Sequence, residues 1–130
     1  MESADLVLYV EDNPSNIRLM ERLFQERPAL RLLVASDGST ARRMAIESPP
    51  SLILTDLNLP DISGEDLIRA FQDDLAGATP PIVVLSADAT SETIERLDAL
   101  GVAEYLTKPY NVDRLLEVID THCPTIDTGS

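Results

Sequence analysis

The sequence predicts a doubly wound α/β sandwich: five parallel strands in the order 2-1-3-4-5, with helices on both faces. Three observations carry this. Apolar strand-like runs alternate with helix-like runs five times along the 130 residues. Runs such as Ile82 to Leu85 are continuously apolar, which implies burial on both faces of a parallel sheet. Finally, most runs end in an acid, a hydroxyl or a cation, as expected where strand ends line one functional edge. Right-handed crossovers between successive strands complete the architecture.

Each element has its own signature. The first strand is Leu6 to Val10, in "LVLYVEDNP". A helix follows from about Pro14 to Glu26, with Ile17, Met20 and Phe24 along one face and Leu23 beside them. Leu30 to Ala35 reads as the second strand. After an Asp37-Gly38 turn, a short helix from Thr40 to Glu47 buries Ala41, Met44 and Ala45, and Ser48 to Pro50 ends it. "LILTD" closes the third strand at Asp56. Ser63 caps the third helix, whose apolar face is Leu67, Ile68, Phe71 and Leu75. "PPIVVLS" ends the fourth strand at Ser86. Thr90 or Ser91 starts a weaker fourth helix carrying Ile94, Leu97 and Leu100, closed by Gly101. "EYLTKP" supplies a short fifth strand. Asn111 caps the last helix, with Val112, Leu115, Leu116 and Ile119 on one face. Residues 1–123 read as one domain and 124–130 as a tail or linker.

Composition narrows the function classes. A formal charge of −13, with ten Lys and Arg among 23 acids, leaves no basic patch for nucleic acid or anionic membrane. No apolar run is long enough to span a bilayer, and no secretory signal opens the chain. Cys123 is the only cysteine, so an internal disulfide is excluded and a cytoplasmic setting is expected. Tyr9 and Phe24 read as core. Asp73 and Asp74 read as a solvated helix end, and His122 and Cys123 as ordinary residues beyond the last helix.

The strand ends carry the chemistry. Glu11 and Asp12 follow the first strand, Asp56 ends the third, Ser86 the fourth, and Lys108 follows the fifth. One acid at a strand end is usually a turn former or cap. Four of five strands delivering such groups to one edge indicate a site. If the first and third strands are neighbours, their ends lie roughly 5 Å apart. Carboxylates that close repel by about 1 to 4 kcal/mol per pair, so one is protonated or a cation sits among them. Few, hard oxygen ligands favour Mg²⁺, usually together with a phosphate. Lys108 supplies a point charge and Ser86 a donor for a phosphoryl group. The edge therefore reads as metal-assisted phosphoryl chemistry with a carboxylate nucleophile.

Four segments, in order and at matching strand ends, resemble the response-regulator receiver domain of two-component signalling: "VEDN", "TDLNLPDISG", "VLSA" and "YLTKP". The resemblance implies that Asp56 is the phosphoacceptor, attacking a phosphohistidine to form an acyl phosphate. It implies that Asp12, Asp56 and the main-chain carbonyl of Asn58 hold Mg²⁺, with Glu11 helping through water. Ser86, where the family often has Thr, would hydrogen-bond the phosphoryl group, and Lys108 would pair with it. Ala87, Asp88 and Tyr105 fall at switch and tuning positions. Tyr105 matches an aromatic that turns inward on phosphorylation, though an ordinary half-buried tyrosine fits as well. Asn58 and Asp88 sit where the family controls attacking water, and both are polar, which implies fast autodephosphorylation.

Three other readings stay open on residues alone. A haloacid-dehalogenase-like Mg²⁺ phosphatase wants a second Asp where Asn58 stands. A flavodoxin-like cofactor binder wants a phosphate loop where the acids stand. A degenerate receiver would serve only protein contacts. The expected partner is a histidine kinase or histidine phosphotransfer domain, whose helical bundle docks beside the first helix. Helix four, strand five and helix five would report the phosphorylated state and offer a homodimer surface. No effector sequence follows the last helix, which fits a stand-alone regulator, a relay shuttle or a segment of a hybrid histidine kinase.

Overall fold

The computed structural model describes residues 5–88 and 90–123, so the expected tail at 124–130 lies outside the described residues. Ten elements alternate: β1 (Asp5–Val10), α1 (Pro14–Phe24), β2 (Leu30–Ala35), α2 (Gly38–Glu47), β3 (Leu52–Asp56), α3 (Gly64–Asp74), β4 (Ile82–Ser86), α4 (Ser91–Ala99), β5 (Glu104–Thr107) and α5 (Val112–His122). The strands form one parallel sheet in the order β2-β1-β3-β4-β5, as the sequence predicts.

Strand periodicity divides the core into two layers. Val7, Tyr9, Leu52, Leu54, Val83 and Leu85 face one side and pack with Met20, Leu23 and Phe24 of α1 and Leu115, Val118 and Ile119 of α5. Their alternates Leu8, Val10, Ile53, Ile82 and Val84 face the other. There they meet Ala41 and Ala45 of α2, Leu67, Ile68 and Phe71 of α3, and Leu97 of α4. Register fixes the functional edge: Val10 pairs with Thr55, Asp56 with Leu85, and Ser86 with Thr107. The residues following β1 and β5 and those ending β3 and β4 therefore emerge on one side. No described helix is long and apolar enough to cross a membrane.

Every helix begins with a side-chain cap. Asn13, Asp37, Ser63, Thr90 and Asn111 each accept an N–H from the first helical turn. Asp37 is thus a cap rather than part of a free turn, and α2 starts at Gly38, two residues earlier than its periodicity suggests. Asp61, in the loop after β3, doubles this cap: its two oxygens accept the N–H groups of Gly38 and Ser39 at 2.8 and 3.1 Å. Those bonds, that from Gly38 above all, hold the Asp61 carboxyl below its ordinary range. A depressed folded value means stability present above the ordinary 3.8 and lost as pH falls through the folded value. Asp61→Ala is therefore expected to lower the thermal midpoint by a few degrees at neutral pH. Scans across pH should show the deficit closing in acid.

Several sequence expectations shift. α1 ends at Phe24, and Met44, Leu75 and Leu100 are only half-buried. Ile94 and Val112 are exposed, while α4 buries Thr93, whose hydroxyl is satisfied by polar neighbours. Asp73 is exposed, but Asp74 takes both guanidinium contacts of Arg42 at 2.8 and 2.9 Å, tying α3 to α2. His122 is the last residue of α5 and Cys123 its buried C-cap, so neither lies beyond the helix.

Candidate functional site

Asp56 closes β3 with its side chain 12% exposed at the carboxyl edge. One carboxylate oxygen accepts the Asn58 N–H at 3.1 Å, the other Lys108 Nζ at 3.0 Å. The same ammonium donates to Glu11 Oε1 at 3.1 Å. One cation between these acids is therefore a side chain of the protein itself. Lys108 reaches them because its turn is anchored, its own N–H donating to the Ser86 carbonyl at 2.8 Å. Burial alone would lower the Lys108 pKa. The hydrogen bonds and charges of Asp56 and Glu11 outweigh it, and the net shift is upward.

Glu11 is buried. Oε1 accepts the Tyr9 hydroxyl at 3.0 Å and the Asn16 amide at 3.3 Å as well as Lys108, and Oε2 accepts the Asn13 N–H at 3.3 Å. Burial, then the Glu11 charge, push the Tyr9 phenol far above its ordinary value, so it stays a donor. Asp12 differs from Glu11 throughout. It is exposed and makes no side-chain hydrogen bond or ion pair among the described residues.

Ser86 ends β4 fully buried, its Oγ accepting the Asp88 N–H at 3.1 Å. The Asp88 carboxylate turns to α4, accepting the Thr90 N–H at 3.0 Å and the Thr93 hydroxyl at 2.9 Å. These contacts, that with Thr90 first, hold its pKa down. Ala87 and Asn58 are exposed at the edge. Tyr105 has a half-buried ring. Its hydroxyl is buried and faces Ser86 without a hydrogen bond of ordinary geometry, and burial raises its pKa.

Three carboxylates do not converge as expected: among the described residues no group of three His, Cys, Asp or Glu could hold a metal ion. Glu11 and Asp56 do meet, at Lys108 Nζ; Asp12 is the acid that makes no side-chain contact with either among the described residues. The donor set still suits a hard cation. Asp12 is an exposed carboxylate with uncommitted oxygens, Asp56 is at the same edge, and the Asn58 carbonyl accepts no hydrogen bond among the described residues. Sequence reasoning missed Tyr9 and Asn16 as polar members of the site. Tyr9 was legible, since residues two apart on a strand share a face.

Comparison with known proteins agrees with the geometry. The family model for the response regulator receiver domain matches residues 7–120. The transcriptional regulatory protein KdpE of Mycobacterium tuberculosis is 38% identical over 112 residues, covering 85% of this chain and 47% of its own. The chain thus spans about half the length of that relative. The polar-differentiation response regulator DivK of Brucella ovis is 32% identical over 116 residues, 89% of this chain and 94% of that protein. Among solved structures, the receiver domain of the sensor histidine kinase PA1611 from Pseudomonas aeruginosa, determined with magnesium in its active-site cleft, superposes with a TM-score of 0.82. It is 28% identical and covers 94% of this chain and 99% of that one. The phosphatase and cofactor-binding readings find no support in these relatives. The chain belongs to the response regulator receiver domain family, the phospho-accepting modules of two-component signalling.

Proposed function

We propose that Asp56 accepts a phosphoryl group from a phosphohistidine on a partner protein, and that the acyl phosphate shifts the domain to its signalling conformation. The observation that carries this is the single Lys108 ammonium held between Asp56 and Glu11 at the open edge of the sheet. A carboxylate oxygen of Asp56 attacks phosphorus, the N–P bond breaks, and its electron pair returns to the imidazole. Lys108 would pair with the incoming phosphoryl oxygens, and the Ser86 hydroxyl, whose proton has no partner among the described residues, would donate to one of them. Asp12, Asp56 and the Asn58 carbonyl would hold Mg²⁺, which when bound offsets the charge of the transferred group. Asn58, exposed two residues from Asp56, can hold the attacking water of autodephosphorylation. Asp88 is committed to α4, so in this chain it serves that water less than Asn58 does. Incubation with acetyl phosphate and Mg²⁺ should add one phosphoryl mass to the wild type and none to Asp56→Asn. No gain in the wild type would defeat the reading.

For the partner we propose the helical bundle of a histidine kinase or histidine phosphotransfer domain, docking across α1. Among the described residues, two of four exposed large apolar side chains, Leu19 and Val112, line a groove of about 440 Å³ with Asn16, Ala87, Lys108 and Pro109. Arg18 and Arg22 flank Leu19 and form no ion pair with a carboxylate among the described residues, unlike six other arginines of this acidic chain. An apolar helix face bordered by acids fits that surface. Arg18→Glu with Arg22→Glu is expected to slow transfer from the protein donor about tenfold or more while leaving acetyl phosphate labelling unchanged. Equal slowing of both would place the arginines elsewhere in the scheme. The face of α4, β5 and α5, with Ile94 exposed, would present the phosphorylated state to a target or a second copy.

A further inference from the structure

We infer that Tyr9 is a positioning residue of this site: its buried hydroxyl holds the Glu11 carboxylate and so sets how Lys108 is shared between Glu11 and Asp56. Tyr9 and Glu11 are 0% and 1% exposed, so the bond between them is buried. Glu11 Oε1 accepts three donors, the Tyr9 hydroxyl, the Asn16 amide and the Lys108 ammonium, at 3.0, 3.3 and 3.1 Å. A buried carboxylate has a limited charge to distribute, and each donor takes part of it. With the phenol in place, Glu11 holds Lys108 loosely enough for Nζ to sit 3.0 Å from Asp56 Oδ2. Without it, the same oxygen leans harder on its remaining cation, and Lys108 moves toward Glu11 and away from the reacting carboxylate. Glu11 is on this view the anchor of Lys108. The inference rests on the phosphoacceptor reading for its functional consequence alone.

Lys108 is the only lysine in the chain, which makes the test direct. The 130-residue chain labelled with [13Cε]lysine gives one side-chain signal, and Tyr9→Phe removes the hydroxyl while keeping the ring. At neutral pH that variant is expected to move the Lys108 signal and slow labelling by acetyl phosphate by about three- to tenfold. In a Glu11→Gln background the same change should alter neither by more than about 1.5-fold, because the carboxylate through which Tyr9 acts is gone. Asn16→Ala, on the partly exposed helix, removes another donor from the same oxygen and should give a smaller effect that also vanishes with Glu11→Gln. Effects of equal size in both backgrounds, or an unmoved Lys108 signal in Tyr9→Phe and Asn16→Ala, would reduce Tyr9 to core packing and overturn the inference. If the wild type takes up no phosphoryl group, the phosphoacceptor reading fails, while the spectroscopic cycle still decides the role of Tyr9.

Discussion

Lys108→Ala is expected to lose about 2 to 4 kcal/mol of stability at neutral pH and about 100-fold in the rate of labelling by acetyl phosphate. The side chains of Glu11 and Asp56 are 2% and 12% exposed, and both lean on this one ammonium. Its removal leaves two neighbouring carboxylates with no cation between them, and burial denies them the screening that surface charges enjoy. The Lys108 pKa is raised on folding, so its contribution is complete below the ordinary 10.5 and disappears as pH rises through the higher folded value. The variant should show the complementary pattern. Its deficit shrinks at high pH, and added Mg²⁺ recovers part of the loss at neutral pH. Urea titrations at three pH values, with and without Mg²⁺, read all of this. A variant as stable as wild type at neutral pH would mean that the two acids do not depend on Lys108.

Gly64→Ala is expected to cost about 1 to 3 kcal/mol and to slow phosphorylation about tenfold, although Gly64 touches no reacting group. A Cβ at Gly64 would lie 2.6 Å from the Leu57 Cα and 3.2 Å from the Asp56 carbonyl. Backbone must yield, because the Gly64 N–H also bonds the Leu57 carbonyl at 2.9 Å. Pushing Leu57 displaces Asp56 on one side and Asn58 on the other, the residues proposed to accept the phosphoryl group and hold the cation. Gly101→Ala supplies the control. It meets nothing within 4 Å, so strain at its φ of +87° costs stability without moving the site. Unaltered labelling by Gly64→Ala would show that the loop tolerates displacement.

The fold was legible because its signals were local and repeated. Continuous apolar runs marked buried strands, and Ser63, Thr90 and Asn111 sat where helix caps belong. The site was legible as a set of strand ends, since a parallel sheet carries them to one edge whatever the intervening sequence. What escaped was side-chain choice between competing partners. The alternation in "YVEDN" puts Glu11 on the Tyr9 face, but it does not state that the Glu11 carboxylate is drawn inward while Asp12 stays outside. That outcome depends on Lys108, 97 residues away in sequence, and on Asn16 in the first turn of α1. Asp61 escaped for the same reason, its partners at Gly38 and Ser39 lying 23 and 22 residues back. Asp88 looked available for water until α4 placed Thr90 and Thr93 against it.

The assignment of Asp56 can be tested at the level of the bond it forms. Phosphorylated protein is treated with borohydride, which reduces an acyl phosphate to an alcohol, and its peptides are sequenced by mass. Homoserine at position 56, present only after phosphorylation, is the predicted result. An unmodified Asp56 in protein that has gained a phosphoryl mass would contradict it.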